Sequence, residues 1–431
     1  MVQALIPLPA ILLAFGVTAG PVILRGNSIS LSLSRHSNFT GTRNIIQSDL
    51  ARIRSIRAHN VNTDAAQNDV AARAVVGVPV INELFSYTAS IGVGEPATYY
   101  DLIVDTGSSN TWVGANKSYV PTSTAHPTGD RVGVRYGSGL FNLCRCQIVP
   151  ESLDELQDCN EWTDKVSLAP DLVIENQSIG VASRSAGFQG VDGILGIGPV
   201  DLTERTLSPD SNLVISTVTD NLFSQGTITQ NMIGVSFEPP TSTADSQTNG
   251  EITFGGTDES KYTGEITYTP ITSTSPASKY WGIDQSISYG GATILSTTAG
   301  IVDTGTTLIY LATNAFNAYQ AATGGVPDPT TGLLSITPEQ LADLEDFNFD
   351  IAGTTFALTP NAQIWPRSLN SEIGGTADSI YLIVADIGSS SGSGLDFING
   401  MTFLERFYSV YDTTNRQVGF ATTAYTTATT N

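Results

Sequence analysis

Ile103-Val104-Asp105-Thr106-Gly107-Ser108-Ser109 and Ile301-Val302-Asp303-Thr304-Gly305-Thr306-Thr307 are one phrase written twice, 198 residues apart. Each copy carries an apolar, strand-like run into an aspartate, a costly place for a charge without solvent or a partner. The glycine lets the backbone turn tightly and come close to another group. The hydroxyls on either side of it can hydrogen-bond a carboxylate and fix its orientation. A weaker echo joins Gly193-Ile194-Leu195-Gly196 to Phe397-Ile398-Asn399-Gly400, each at a similar distance past its aspartate. The repeat predicts two related lobes facing each other, with the paired aspartates meeting between them. A single Asp-Thr-Gly is ordinarily just a turn; two copies in matched contexts are not.

Two carboxyls held that close cannot both ionise, so one titrates low and the other is raised. Such a pair can hold a water, one carboxylate accepting its proton while the other acid donates to a carbonyl oxygen. The resulting pKa values belong to the pair, and neither role is permanently assigned.

The composition fits this reading. Of 431 residues, 40% are hydrophobic and only 14% charged, with 41 glycines, which favours a β-rich globular chain. Strands are predicted at Tyr100 to Val104, Glu251 to Phe254, Glu265 to Tyr268, Ala299 to Val302, Ser379 to Val384 and Tyr408 to Tyr411. Helices are few: Ser48 to His59, Thr313 to Ala322 and Pro338 to Leu344. The expected class is all-β.

The net charge of −22 argues against nucleic acid or an anionic membrane as a partner. Up to Ala74 the chain carries seven Arg and three acids; the remainder holds one histidine, His126, and a charge of −26. That remainder gains little positive charge when its carboxylates protonate, as suits work in acid. Ala4 to Val17 is apolar and Val17-Thr18-Ala19 offers a small-residue cleavage site, so residues 1–19 read as a secretory signal, although no Lys or Arg precedes the run. Residues 20–74 read as a basic pro-segment held over an acidic cleft, with a solvated arm as the plainer alternative. Residues 75–270 and 271–431 are assigned to the N- and C-terminal lobes. The product is expected to be secreted and extracellular, and to act as a monomer. Neither a transmembrane helix nor a lipid anchor is expected. No ligand set with metal-binding spacing occurs, so no metal or cofactor is expected. Sequons stand at Asn38, Asn116 and Asn176.

The stretch Asp105-Thr-Gly-Ser-Ser-Asn-Thr-Trp112-Val113 resembles the N-lobe signature of pepsin-like aspartic proteases, and Asp303-Thr-Gly-Thr-Thr-Leu308 their C-lobe signature. Asp396 to Asp412 is similar to the matching stretch of the fungal polyporopepsins, and the resemblance runs from about residue 80 to the end. It implies a bilobal fold with a cleft between two pseudo-twofold-related β lobes. It implies an endopeptidase for extended polypeptides, cutting between bulky apolar residues and inhibited by pepstatin-like compounds. By position, Asp105 and Asp303 would be the catalytic pair. Thr106 and Thr304 would link the two loops across the lobes, and Ser108 and Thr306 would bond the outer carboxylate oxygens. Gly107 and Gly305 would line the water site. Tyr136 and Gly137 would belong to the flap, with Trp112 as partner of Tyr136. Ile194 and Tyr280 would line the cleft, though both fit core positions equally well.

One segment departs from the family. Between Gly139 and the recognisable return strand Glu161-Trp162-Thr163-Asp164 lie residues 140–160, which hold all three cysteines, Cys144, Cys146 and Cys159. They are either a translated retained intron or a genuine insertion, closed in that case by a disulfide from Cys159 to Cys144 or Cys146. A lid altered there could leave a silent peptide-binding protein of the same fold. A metal-dependent hydrolase using the two aspartates as ligands is the remaining alternative.

Overall fold

The computed structural model describes residues 24–25, 28–37, 45–59, 85–135, 140–141, 161–182, 185–186, 188, 190–209, 212–240 and 248–431. The signal segment, Tyr136, Gly137, the three cysteines and Asn38 lie outside these.

The repeat read in the sequence is a repeat of strand pairing. Thr98–Asp105 delivers the first aspartate and runs parallel to Gly193–Gly196, with Asp105 opposite Gly196. Ala292–Val302 delivers the second and runs parallel to Phe397–Asn399, with Val302 opposite Asn399. Each echo strand then pairs antiparallel with the short strand after its aspartate loop, Trp112–Val113 or Ile309–Leu311. Those short strands pair parallel, in turn, with Leu172–Val181 and Val384–Asp386. Both lobes therefore build one four-strand unit that ends at an aspartate.

Around these units the described strands form sheets of fourteen and seven strands. The larger holds the first lobe's unit, together with Met232–Phe237, Thr248–Phe254 and Thr263–Pro270. The C-terminal strands Phe407–Asp412 and Gln417–Thr422 return to that sheet, pairing with Met232–Phe237 and Thr263–Pro270. Inner faces are apolar and alternate with the pleat, as in Phe347–Ile351, where every second residue is buried. The Trp281 indole N–H donates to Ile197 O at 3.1 Å, tying one lobe to the other.

Helix ends follow local chemistry. Thr313–Thr323 stops at Gly324, whose φ of 70° is the left-handed conformation that glycine adopts without penalty. Pro338–Ala342 opens with a Thr337/Gln340 capping box and ends short of the expected Leu344. The strand expected over Ser379 to Val384 is two strands. Ile380–Leu382 pairs with Leu334–Ile336, whereas Val384–Asp386 pairs with Ile309–Leu311. The chain changes partners at Ile383, whose N–H goes to Gln363 O and whose carbonyl accepts from Ile309 N.

The N-terminal basic region contributes more than a helix. Ser28–Ser37 is a strand inserted between Thr248–Phe254 and Phe85–Val93. Ile29-Ser30-Leu31-Ser32-Leu33-Ser34 has the period-two alternation this requires. Ile45–His59 follows as a helix with Ile45, Ile53 and Ile56 buried. Among the described residues, no helix is long and apolar enough to cross a membrane.

Candidate active site

Both aspartates are fully buried at the ends of their strands. Asp105 Oδ1 accepts the Gly107 N–H at 2.9 Å and Oδ2 the Ser108 hydroxyl at 2.5 Å. Asp303 repeats the pattern, with the Gly305 N–H at 3.0 Å and the Thr306 hydroxyl at 2.6 Å. Each carboxylate is thus fixed by a turn amide on one oxygen and a hydroxyl on the other.

The two loops lock reciprocally. Thr106 N–H donates to Thr304 Oγ1 and Thr304 N–H to Thr106 Oγ1, both at 2.9 Å. The Thr304 hydroxyl continues to Val104 O at 2.9 Å and that of Thr106 to Val302 O at 3.3 Å. The glycines face across the lobes. A Cβ on Gly107 would lie 2.6 Å from Asp303 Oδ1, and one on Gly305 2.7 Å from Asp105 Oδ1. Any side chain there would collide with the opposing carboxylate, so glycine is required by close approach.

Between the carboxylates lies a group from the N-terminal helix. Arg52 Nη2 donates to Asp105 Oδ1 at 2.5 Å and to Asp303 Oδ1 at 2.9 Å, and Nε to Asp303 Oδ2 at 2.7 Å. The guanidinium fork matches this geometry as a lysine ammonium could not. Burial raises the Asp105 pKa, opposed by the Arg52 charge and aided by Asp303. Burial also acts upward on Asp303, but the Arg52 charge and the hydrogen bonds from Arg52, Thr306 and Gly305 outweigh it and hold it low. The pair is split in the sense expected of two adjacent carboxyls, with Asp303 as the more strongly ionised member.

The rest of the helix is fitted to the cleft. The Asp49 carboxylate accepts the backbone N–H groups of Thr307 and Leu308. The Tyr280 hydroxyl donates to Ile56 O at 3.3 Å, and Arg57 Nη2 to the Ser389 hydroxyl at 2.6 Å. Burial pushes the Tyr280 phenol up; Arg52 works against this, and Asp303 and Asp105 with it. Tyr280 therefore meets the same N-terminal helix that carries Arg52 to the carboxylate pair. Ile194 packs with Ile103, Trp112 and Phe188 in a core cluster, and Trp112 meets Phe188 edge-on. Sequence reading missed Asp49 and Arg52. Their signal was the arginine excess ahead of the acidic lobes, which does not say which arginine reaches the aspartates.

A profile of the family described as eukaryotic aspartyl protease matches residues 86–143 and 157–423. This chain belongs to that family. The break at 144–156 falls within the atypical segment 140–160. This aspartyl protease is 62% identical over 359 residues to polyporopepsin of Irpex lacteus, covering 83% of this chain and 100% of that one. It is 28% identical over 393 residues to cathepsin E of Rattus norvegicus, covering 85% and 87%. Its fold is similar to the crystal structure of an aspartic proteinase from Irpex lacteus, with a TM-score of 0.75, 63% identity and coverage of 80% and 96%. The protein is a pepsin-like, polyporopepsin-type aspartic endopeptidase with the all-β bilobal fold.

Proposed function

We propose that the chain is the precursor of a secreted acid endopeptidase, in which Asp105 and Asp303 are the catalytic pair and residues 20–74 hold the cleft shut. The observation that carries the reading is the Arg52 guanidinium bridging both carboxylates. Residues 1–19 serve as the secretory signal, the active form works as a monomer, and polypeptides are its substrates.

The Arg52 Nη2 position, within hydrogen-bond distance of both inner oxygens, marks where a water sits once the segment leaves. One carboxylate takes a proton from that water as its oxygen attacks the peptide carbonyl. The other carboxyl, protonated beforehand, donates to the carbonyl oxygen, giving a neutral tetrahedral intermediate. Collapse to acid and amine returns the protons, so no charge leaves the dyad. Ser108 and Thr306 keep the outer oxygens bonded, and the Thr106–Thr304 lock keeps the loops aligned. An extended peptide lies across the lobe interface.

Latency follows from charge. At neutral pH both carboxylates favour the guanidinium. As pH falls, the dyad takes up protons and the attraction weakens, freeing the segment for cleavage between about Ala72 and Val80. The test is to acidify purified full-length protein to about pH 3–4, the range of carboxyl titration, and follow chain length and haemoglobin digestion. Loss of the N-terminal segment and pepstatin-sensitive digestion are expected, with neither in Asp303→Asn. Digestion that pepstatin leaves unchanged would reject the mechanism.

A further inference from the structure

The hairpin of Glu161–Ala169 and Leu172–Val181 carries the sequon Asn176-Gln177-Ser178 at a break in its register. Asp164 lies opposite Gln177 and Val166 opposite Ile174, so Glu175 and Asn176 together face the single residue Lys165. That is a β-bulge, which inserts one extra residue and bends the strand. It also shifts the phase of the pleat. Leu172 and Ile174 are buried before it, Gln177 and Ile179 after it. Strict alternation from Leu172 would turn Asn176 inward; the bulge leaves Glu175 and Asn176 both exposed. Among the described residues, no hydrogen bond engages the Asn176 side chain. The sequon at Asn116 is built differently. Its side-chain amide donates to Phe188 O at 2.6 Å and also to Val191 O, closing the turn in which Val191 N–H meets Phe188 O. A sugar on that nitrogen would replace one hydrogen and stand where a carbonyl oxygen is.

We propose that Asn176 is a site of N-linked glycosylation on the outer hairpin of the first lobe, and that Asn116 stays unmodified. The proposal rests on the reading that the chain enters the secretory route. An N-linked oligosaccharide is bulky and hydrated, so only a surface position carries it without loss of packing. Attachment forms a bond from Asn176 Nδ2 to the anomeric carbon of the oligosaccharide. It breaks that carbon's bond to the pyrophosphate of a lipid-linked donor, and one amide proton is released as the pyrophosphate leaves. In the folded hairpin the Ser178 hydroxyl donates to Glu161 Oε1, so the sugar is added before the hairpin closes and the fold must then hold it outside. On the bulge it displaces no side-chain hydrogen bond. At Asn116 a single N–H would remain for two carbonyls, and one of the bonds that hold the turn at Phe188 and Val191 would be lost.

The test expresses the full chain in a eukaryotic host, once with its own N-terminus and once behind a secretory signal of the host. Protein from the medium is treated with an amidase that releases N-glycans and is mapped by tandem mass spectrometry, since release converts the carrying asparagine to aspartate. Asn176 should be converted in most molecules and Asn116 in none, and the peptide map keeps Asn38 apart from both. Asn176→Gln should lose the mass shift at that peptide and match wild type in kcat/KM for a peptide substrate after acid processing. Ser118→Ala removes the other sequon while leaving the Asn116 amide in place, and should change no glycan mass. Asn176 recovered as unmodified asparagine from protein delivered by the host signal overturns the proposal, as does a glycan on Asn116. A glycan on Asn176 that appears only with the host signal refutes the secretory reading and leaves the site assignment standing.

Discussion

Replacing Arg52 by methionine in the full-length chain removes three charge-assisted hydrogen bonds from a site where donor and acceptors are almost wholly buried. Methionine keeps much of the length and the helix propensity, so Ile53 and Ile56 can still pack. What changes is that two buried carboxyls face each other without a cation. Breaking a buried ion pair by removing one partner costs about 3–5 kcal/mol. Uptake of a proton by Asp105, whose pKa is already raised, relieves part of that. If about 3 kcal/mol is lost from the closed state, the closed-to-open ratio falls by roughly a hundredfold. The assay is cleavage of a fluorogenic peptide by unprocessed protein at about pH 5.5, above the ordinary carboxyl range, with processed wild type as the reference. Arg52→Met should show peptide cleavage before any shortening of the chain, and should self-process faster on acidification. Arg52→Lys keeps the charge but loses the fork, and should fall between the two. An Arg52→Met precursor as silent as wild type at pH 5.5 would refute the latch.

Thr304→Val removes the acceptor of Thr106 N–H and the donor to Val104 O, and should lower stability by about 1–3 kcal/mol, read as a lower urea midpoint. Gly107→Ala in the processed enzyme would place a methyl against Asp303 Oδ1, and kcat should fall at least about a hundredfold as the carboxylates are pushed apart. Buried Glu405 faces Arg35 at 3.8 Å, takes the Tyr87 hydroxyl and is followed by Arg406; burial raises its pKa, and Arg35, Arg406 and Tyr87 oppose that. A carboxyl raised in the fold contributes stability below its unfolded pKa and loses it as pH rises through the folded value. Glu405→Gln should therefore flatten the fall in Tm of the precursor between about pH 4 and pH 7; an unchanged slope would remove Glu405 as its source. Sequencing the transcript across residues 140–160, with mass spectrometry of the purified protein, decides between retained intron and insertion. A message that keeps all these codons and a product that contains them establish the insertion.

The N-terminal helix was legible in the sequence only as an arginine-rich, helix-compatible stretch. Seven arginines precede Ala74, and nothing in their spacing marks Arg52. Its choice depends on where the helix enters the cleft, which follows from packing Ile45, Ile53 and Ile56. The strand Ser28–Ser37 had its signal in period-two alternation, but the partners that place it in the larger sheet lie far away in the chain.

By itself, the sequence determined the carboxylate pair, the glycines and hydroxyls around it, the β class and the two-lobed plan. It could do so because these rest on local chemistry repeated twice: an aspartate at a strand end, a glycine turn, and a hydroxyl within three residues. Tertiary structure alone decided which cation stands between the carboxylates, that Gly107 faces Asp303 while Gly305 faces Asp105, and that Thr307 and Leu308 present their amides to an acid. Those are meetings between segments as many as 259 positions apart, set by how two lobes and a helix close on one another. No short-range pattern encodes that closure.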